Sequence, residues 1–247
     1  VRDSRTLDEQ DVAEDLGLPP AELVVLSFTE SDLLGLLHAQ ARLKAAPRGE
    51  AETLPSLQVT SLARLRHPMS VDLYLETTLA QARCVVVRLL GGLDYWRYGA
   101  EELAAWGRAH HIPLALLPGE ARPQPGAGAP LSDDSRLAEL STVSGEIRRR
   151  LNGFFQYGGA HNMEHALRLM ASLAGQRADD GARPEPLPPW GVYRTVAACT
   201  DLKTAGAATL SQDSVPLPEG HTLRATLIFY RAHLMVGDIA ALDALAD

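Results

Sequence analysis

With only two cysteines in 247 residues, Cys84 and Cys199, the chain has no disulfide framework, and their separation fits no metal-ligand spacing. Cys84 stands inside an apolar run, where a thiol packs as a small hydrophobe. No apolar stretch reaches the ~18 to 20 residues that cross a bilayer, and the first twenty positions are acidic and polar rather than signal-like. The expected setting is therefore cytoplasmic, with no membrane partner. Lys and Arg together number 23 against 31 Asp and Glu, a formal charge of −8 with no polybasic arm, so no nucleic-acid partner is expected. Neither a GxGxxG nor a GK[ST] phosphate cradle occurs, and repeats of about 20 to 50 residues are absent. What remains, 46% of it apolar, is ample for a core.

The stretch around which the chain is organised runs from Arg83 to Trp96. Its β-branched run, Cys84 to Leu90, reads as a buried parallel strand, and Gly91-Gly92 breaks it before a helix-like segment. Two similar runs precede it, Leu23 to Phe28 and Ser56 to Leu62, and Ile112 to Leu117 follows it. Between them lie helix patterns: one opened by Thr29-Glu30-Ser31-Asp32, where Ser27, Thr29, Ser31 and Asp32 are read as caps, one after Ser70, and one from Tyr98 to His110. Alternation of this kind predicts an α/β fold, a Rossmann- or flavodoxin-like parallel sheet with flanking helices.

Residues 1–20 read as a loose leader and 21–175 as an α/β head domain whose last three helices, Leu131–Leu140, Ser144–Tyr157 and Ala160–Ala174, form a cap or flank. Residues 176–222 read as a charged, Pro-rich linker. Residues 223–247, with a strand over Leu223–Tyr230 and a helix from about Ile239, read as the start of a second β/α domain, truncated.

Open α/β sheets bind ligands at the carboxyl ends of their strands. The residues placed there are Arg66 and His67 after the second strand, and Arg88, Gly91, Gly92, Tyr95, Trp96 and Arg97 at and after the third. Arginines beside aromatic faces suit a flat, carboxylate-bearing ligand, through charge-assisted hydrogen bonds and stacking, and they equally suit wedging a loop against the domain. Elsewhere His161-Asn162-Met163-Glu164-His165 fits the His-x-x-Glu-His pattern of inverted zinc metallopeptidases, in which His161 and His165, one helical turn apart, share a metal. No downstream acidic residue stands out as the third ligand. A zinc peptidase stays an alternative reading, and otherwise no metal site is expected.

Three segments in order carry a family resemblance: Leu65-Arg66-His67-Pro68-Met69-Ser70-Val71-Asp72, then Val87-Arg88-Leu89-Leu90-Gly91-Gly92-Leu93-Asp94-Tyr95-Trp96, then Ile228-Phe229-Tyr230-Arg231 with Gly237-Asp238. They resemble the N-terminal region of the CobN-type large subunit of aerobic cobaltochelatase, a family related to the magnesium-chelatase H subunit. The resemblance implies a fragment of a much larger subunit that binds hydrogenobyrinic acid a,c-diamide and inserts cobalt(2+), its substrate metal, in cobalamin biosynthesis. It implies as partners the remainder of that subunit and the CobS and CobT subunits, of AAA+ type, which would carry ATP and Mg2+. No catalytic residue is expected within the fragment, which alone would be inactive. The eight residues named above are then candidates for corrin contact, a role the resemblance does not itself assign. A non-catalytic head or docking module of a magnesium-chelatase H-like subunit is the other reading.

Overall fold

The computed structural model describes residues 13–45, 54–119, 135–186, 192–194, 209–211, 228–230, 232–236 and 240–246. Four strands, β1 (Leu23–Ser27), β2 (Leu57–Ser61), β3 (Cys84–Leu89) and β4 (Leu114–Pro118), form a parallel sheet in the order β2-β1-β3-β4. Every residue of the two central strands, β1 and β3, is buried, which is why they read as continuous apolar runs rather than as alternation. Leu23, Val24, Val25, Leu26 and Ser27 stand in register with Cys84, Val85, Val86, Val87 and Arg88. Among the described residues the strand order is that of the first four strands of a flavodoxin-like sheet.

Alternate residues feed two separate cores. On one face Leu23, Val25, Val86 and Leu117 pack against α1 (Glu30–Ala45), α5 (Gly145–Tyr157) and α6 (Ala160–Leu173). On the other, Val24, Leu26, Val85, Val87 and Leu116 pack against α2 (Pro68–Thr77), α3 (Arg97–Ala109) and α4 (Ser135–Leu140). The three predicted final helices are thus shared between both faces, and α5 and α6 complete the layer begun by α1. Burial pushes the Cys84 thiol up to about 12, so it is an inert core group at neutral pH. Burial likewise raises Tyr74 to about 12, against the opposing hydrogen bond with Thr60 at 3.0 Å.

At β4 the sheet ends on a loop. Leu114 N–H donates to Thr142 Oγ1 at 2.7 Å, Leu116 N–H donates to Ser141 Oγ at 3.0 Å, and Thr142 N–H donates back to the Leu114 carbonyl at 2.9 Å. Two hydroxyls thereby take the place of a neighbouring strand's carbonyls.

Helix α3 ends on a Schellman turn, in which His111 N–H reaches the Arg108 carbonyl and Ile112 N–H the Gly107 carbonyl. His111 holds the left-handed position at φ 56°, where glycine is the cheap residue. His111→Gly should therefore stabilise the fold by about 1 kcal/mol in urea titration.

Several boundaries differ from the sequence reading. Residues 13–20 lie against α2 instead of fraying: Leu16 and Leu18 pack on the second core, and Glu14 pairs with Arg64 at 2.5 Å. Of the strand expected over 223–230, residues 223–227 lie outside the described residues, and 228–230 are irregular. The short helix α7 (Ala232–Val236) packs on α1 and α6, its Met235 carbonyl accepting from Gly159 N–H at 2.8 Å. Helix α8 (Ala240–Ala246) occupies the place expected for the last helix. Val192–Arg194 and Thr209–Ser211 form a small antiparallel pair, β5 and β6, within the stretch read as linker.

Candidate functional site

Strand β1 connects outward to β2 on one side, whereas β3 connects onward to β4 on the other, so the topological switch point falls between β1 and β3. At the carboxyl ends of these strands the structure forms a cleft of about 470 Å³ lined by Phe28, Arg66, Asp94, Tyr95, Trp96, Arg97, Tyr98 and Gly99. Phe28 follows β1, Arg66 follows β2, and the remaining residues follow β3. Four of the eight predicted residues, Arg66, Tyr95, Trp96 and Arg97, therefore meet in one place.

The other four have different duties. His67 caps α2: its Nδ1 accepts the Met69 N–H at 3.2 Å, and Pro68 at the first helical position accounts for its extended backbone. Gly91 and Gly92 take φ of 85° and 76°. A Cβ on Gly91 would stand 2.4 Å from the Tyr95 ring, so this glycine lets the ring lie over the chain.

Arg88 is a buried group with a partner of its own. Its side chain and that of Asp32 are 7% and 8% exposed, and Nη1 meets Asp32 Oδ1 at 2.5 Å. Asp32 Oδ2 accepts from Ser27 Oγ at 2.8 Å, and the guanidinium lies 5.3 Å from the Phe155 ring centre. Asp32, read as a helix cap, instead neutralises a charge that an apolar strand end cannot hold alone, and Ser27, read likewise, donates to it.

Within the cleft the two neighbouring aromatics divide. Trp96 turns inward and donates its Nε1–H to the Leu65 carbonyl at 2.7 Å, with Gly99 beneath it, where a Cβ would clash with the indole. Tyr95 stays 73% exposed. Arg97 and Arg136 both pair with Asp94, and these hydrogen bonds, Arg97's first, hold its carboxyl below the usual range. Tyr98 donates to Asp72 at 2.8 Å, which raises the phenol. Phe28, Asp94 and Tyr98 were missed by sequence reasoning. The i,i+3 spacing of Asp94 and Arg97 was the available signal for one of them.

A larger depression, about 550 Å³, lies at the opposite end of β4 between Gly107, Ile112, Val143, Ile147 and Leu173. It contains none of the predicted residues and lies away from the switch point, so the smaller cleft is the better candidate site.

The His-x-x-Glu-His segment forms the first turns of α6, with His161 exposed and His165 partly so. Glu164 is held by Arg42 at 2.8 Å and flanked by Arg168 at 3.9 Å, so its carboxylate is engaged rather than placed to act as a peptidase base. His165 Nδ1 lies 3.1 Å from Asp180 Oδ2. Among the described residues no group of three His, Cys, Asp or Glu side chains could hold a metal ion. Nor is any described helix long and apolar enough to cross a membrane.

No family model matches the chain. It is 32% identical over 246 residues, 98% of its length, to the aerobic cobaltochelatase subunit CobN of a Sinorhizobium species. It is 31% identical over 225 residues to the CobN subunit of Pseudomonas aeruginosa. The chain spans only about a sixth of the length of these curated relatives, 17% and 16%. Among solved structures it matches the catalytic subunit of cobaltochelatase from Mycobacterium tuberculosis with a TM-score of 0.58 and 20% identity, over 92% of this chain and 15% of that one. At that identity the match speaks to fold, and the α/β architecture agrees with it.

Proposed function

We propose that this chain, a relative of one stretch of the CobN subunit of aerobic cobaltochelatase, forms an α/β region of a much longer subunit and presents its switch-point cleft to the corrin substrate. The observation that carries the reading is identity of about a third along nearly the whole chain. The substrate expected from the family resemblance is hydrogenobyrinic acid a,c-diamide, a flat ring edged with carboxylates and amides. Cobalt(2+) is the second substrate, and ATP with Mg2+ would be bound and hydrolysed by CobS and CobT.

Insertion replaces the proton held on the ring's inner nitrogens with Co2+, so it needs ring distortion, a base for that proton and removal of water from the ion. The cleft is suited to holding the ring. Tyr95 offers an exposed ring for stacking, and Arg66 and Arg97 stand where peripheral carboxylates would lie. Trp96 serves as the floor beneath them, and Arg88 acts only by keeping the strand end rigid. The base and the metal-orienting groups would belong to other parts of the subunit.

Titrating the diamide into this chain and into the complete subunit, followed by ring absorbance, tests the reading. Arg97→Ala and Tyr95→Ala are expected to weaken binding about tenfold each, the scale of one charge-assisted hydrogen bond or one stacked ring. Unchanged affinity in both would remove the cleft from the corrin site. A docking role is then the second reading, favoured by Tyr95 and Tyr98 exposed on the cleft and by Met69 and Leu90 exposed after β2 and β3, a residue mix common at interfaces. Co-purification of the AAA+ subunits with this chain, abolished by Tyr95→Asp, would support it.

A further inference from the structure

In the His-x-x-Glu-His segment Glu164 is engaged by Arg42, whereas the two imidazoles are not, and their setting is more ordered than an incidental surface pair needs. His161 and His165 sit one turn apart on α6, a fourteen-residue helix, with ring centres 6.3 Å apart and planes within 17°. On its other side His165 stacks on the buried Phe154 ring at 6.0 Å. Asp180 accepts at His165 Nδ1, which places the ring proton there and leaves the Nε2 lone pair available. A carboxylate behind an imidazole is the usual outer support of a metal-ligating histidine.

Asp180 is itself fixed. Its Oδ1 accepts the Ala182 N–H at 2.9 Å, and residues 176–186 are strapped onto α5 and α6. Arg150 grips both oxygens of Asp179 at 2.6 and 2.9 Å, and Asn162 exchanges two hydrogen bonds with the Glu185 backbone.

We propose that His161 and His165 form a two-imidazole site that takes up Co2+, with Asp180 as the positioning residue behind His165. The chelating pair follows from the geometry, whereas the choice of cobalt rests on the proposed chelatase role. With no third protein donor among the described residues, water fills the remaining positions. Such a site binds reversibly, as a metal destined for a ring elsewhere requires, and imidazole nitrogen favours Co2+ over Mg2+. His161 is exposed, and two imidazoles one helical turn apart are close enough to share an ion.

The test is a titration of this chain with CoCl2, followed by the visible absorbance of the bound ion. One Co2+ per chain is expected, undisturbed by excess Mg2+. The His161→Asn/His165→Asn double variant should lose at least tenfold in affinity, and Asp180→Asn about tenfold, the usual effect of removing an outer-shell carboxylate. Unfolding curves for all three should overlay, and nitrogen NMR should place the His165 proton on Nδ1 only while Asp180 is present. Equal Co2+ uptake by wild type and double variant, or none by either, overturns the site. A chain that binds the corrin but not Co2+ rejects this site and leaves the cleft standing. One that binds Co2+ through the two histidines but not the corrin supports this site and rejects the cleft.

Discussion

Asp32→Ala is expected to destabilise the fold by about 3 to 5 kcal/mol, because it leaves the Arg88 guanidinium buried without its counter-charge. The remaining contacts, a 3.4 Å hydrogen bond to the Gly119 carbonyl and the face of Phe155, do not neutralise it. Arg88→Met should cost a similar amount, since Asp32 then keeps only the Ser27 hydroxyl. The Asp32→Leu/Arg88→Met double variant should recover most of the loss, because two apolar side chains in the same space need no partner. Urea unfolding of wild type, Asp32→Leu, Arg88→Met and the double variant measures the coupling directly. Additive losses in the double variant would mean that the ion pair is not what holds these two elements together. The same series bears on function, since a loss of corrin affinity in Arg88 variants would arise through the strand end and not through contact.

Trp96→Ala should cost about 3 to 5 kcal/mol, the range for deleting a large aromatic from a packed core. Trp96→Phe should cost about 1 kcal/mol by losing the hydrogen bond to the Leu65 carbonyl, more if the smaller ring leaves a void. Tyr95→Ala, one residue away, should change stability by less than about 0.5 kcal/mol. Thermal unfolding of the three variants separates them. If Trp96→Ala unfolds like wild type, the indole is not the wedge between the Leu65 loop and α3, and direct stacking on a ligand returns as its role.

The contrast between Tyr95 and Trp96 shows where sequence reasoning stopped. Two adjacent aromatics after a strand offer no periodicity to say which turns inward. The glycines decide it: Gly99, three residues after Trp96, opens a slot under the indole, and Gly91 lets the Tyr95 ring lie over the chain. That i,i+3 glycine was visible and unread. The strands were legible for the opposite reason, because burial on both faces leaves β1 and β3 apolar apart from Ser27 and Arg88 and needs no partner to be recognised. Arg88 looked like a ligand contact because its counter-ion lies 56 residues earlier, a separation that only the parallel pairing of β1 and β3 closes. The His-x-x-Glu-His pattern was read at the right place, but the allegiance of Glu164 to Arg42 is a tertiary fact, set by how α1 crosses α6.

The loop that closes β4 also bears on how copies of this chain behave when crowded. A parallel sheet grows by accretion at an unpaired rim, and Ser141 and Thr142 occupy the rim of β4 with their own hydroxyls. The opposite rim is β2, which among the described residues is bonded only to β1. Strand-on-strand aggregation therefore has one side from which to start, and Gln58→Lys, a charge on that rim, is the substitution that closes it.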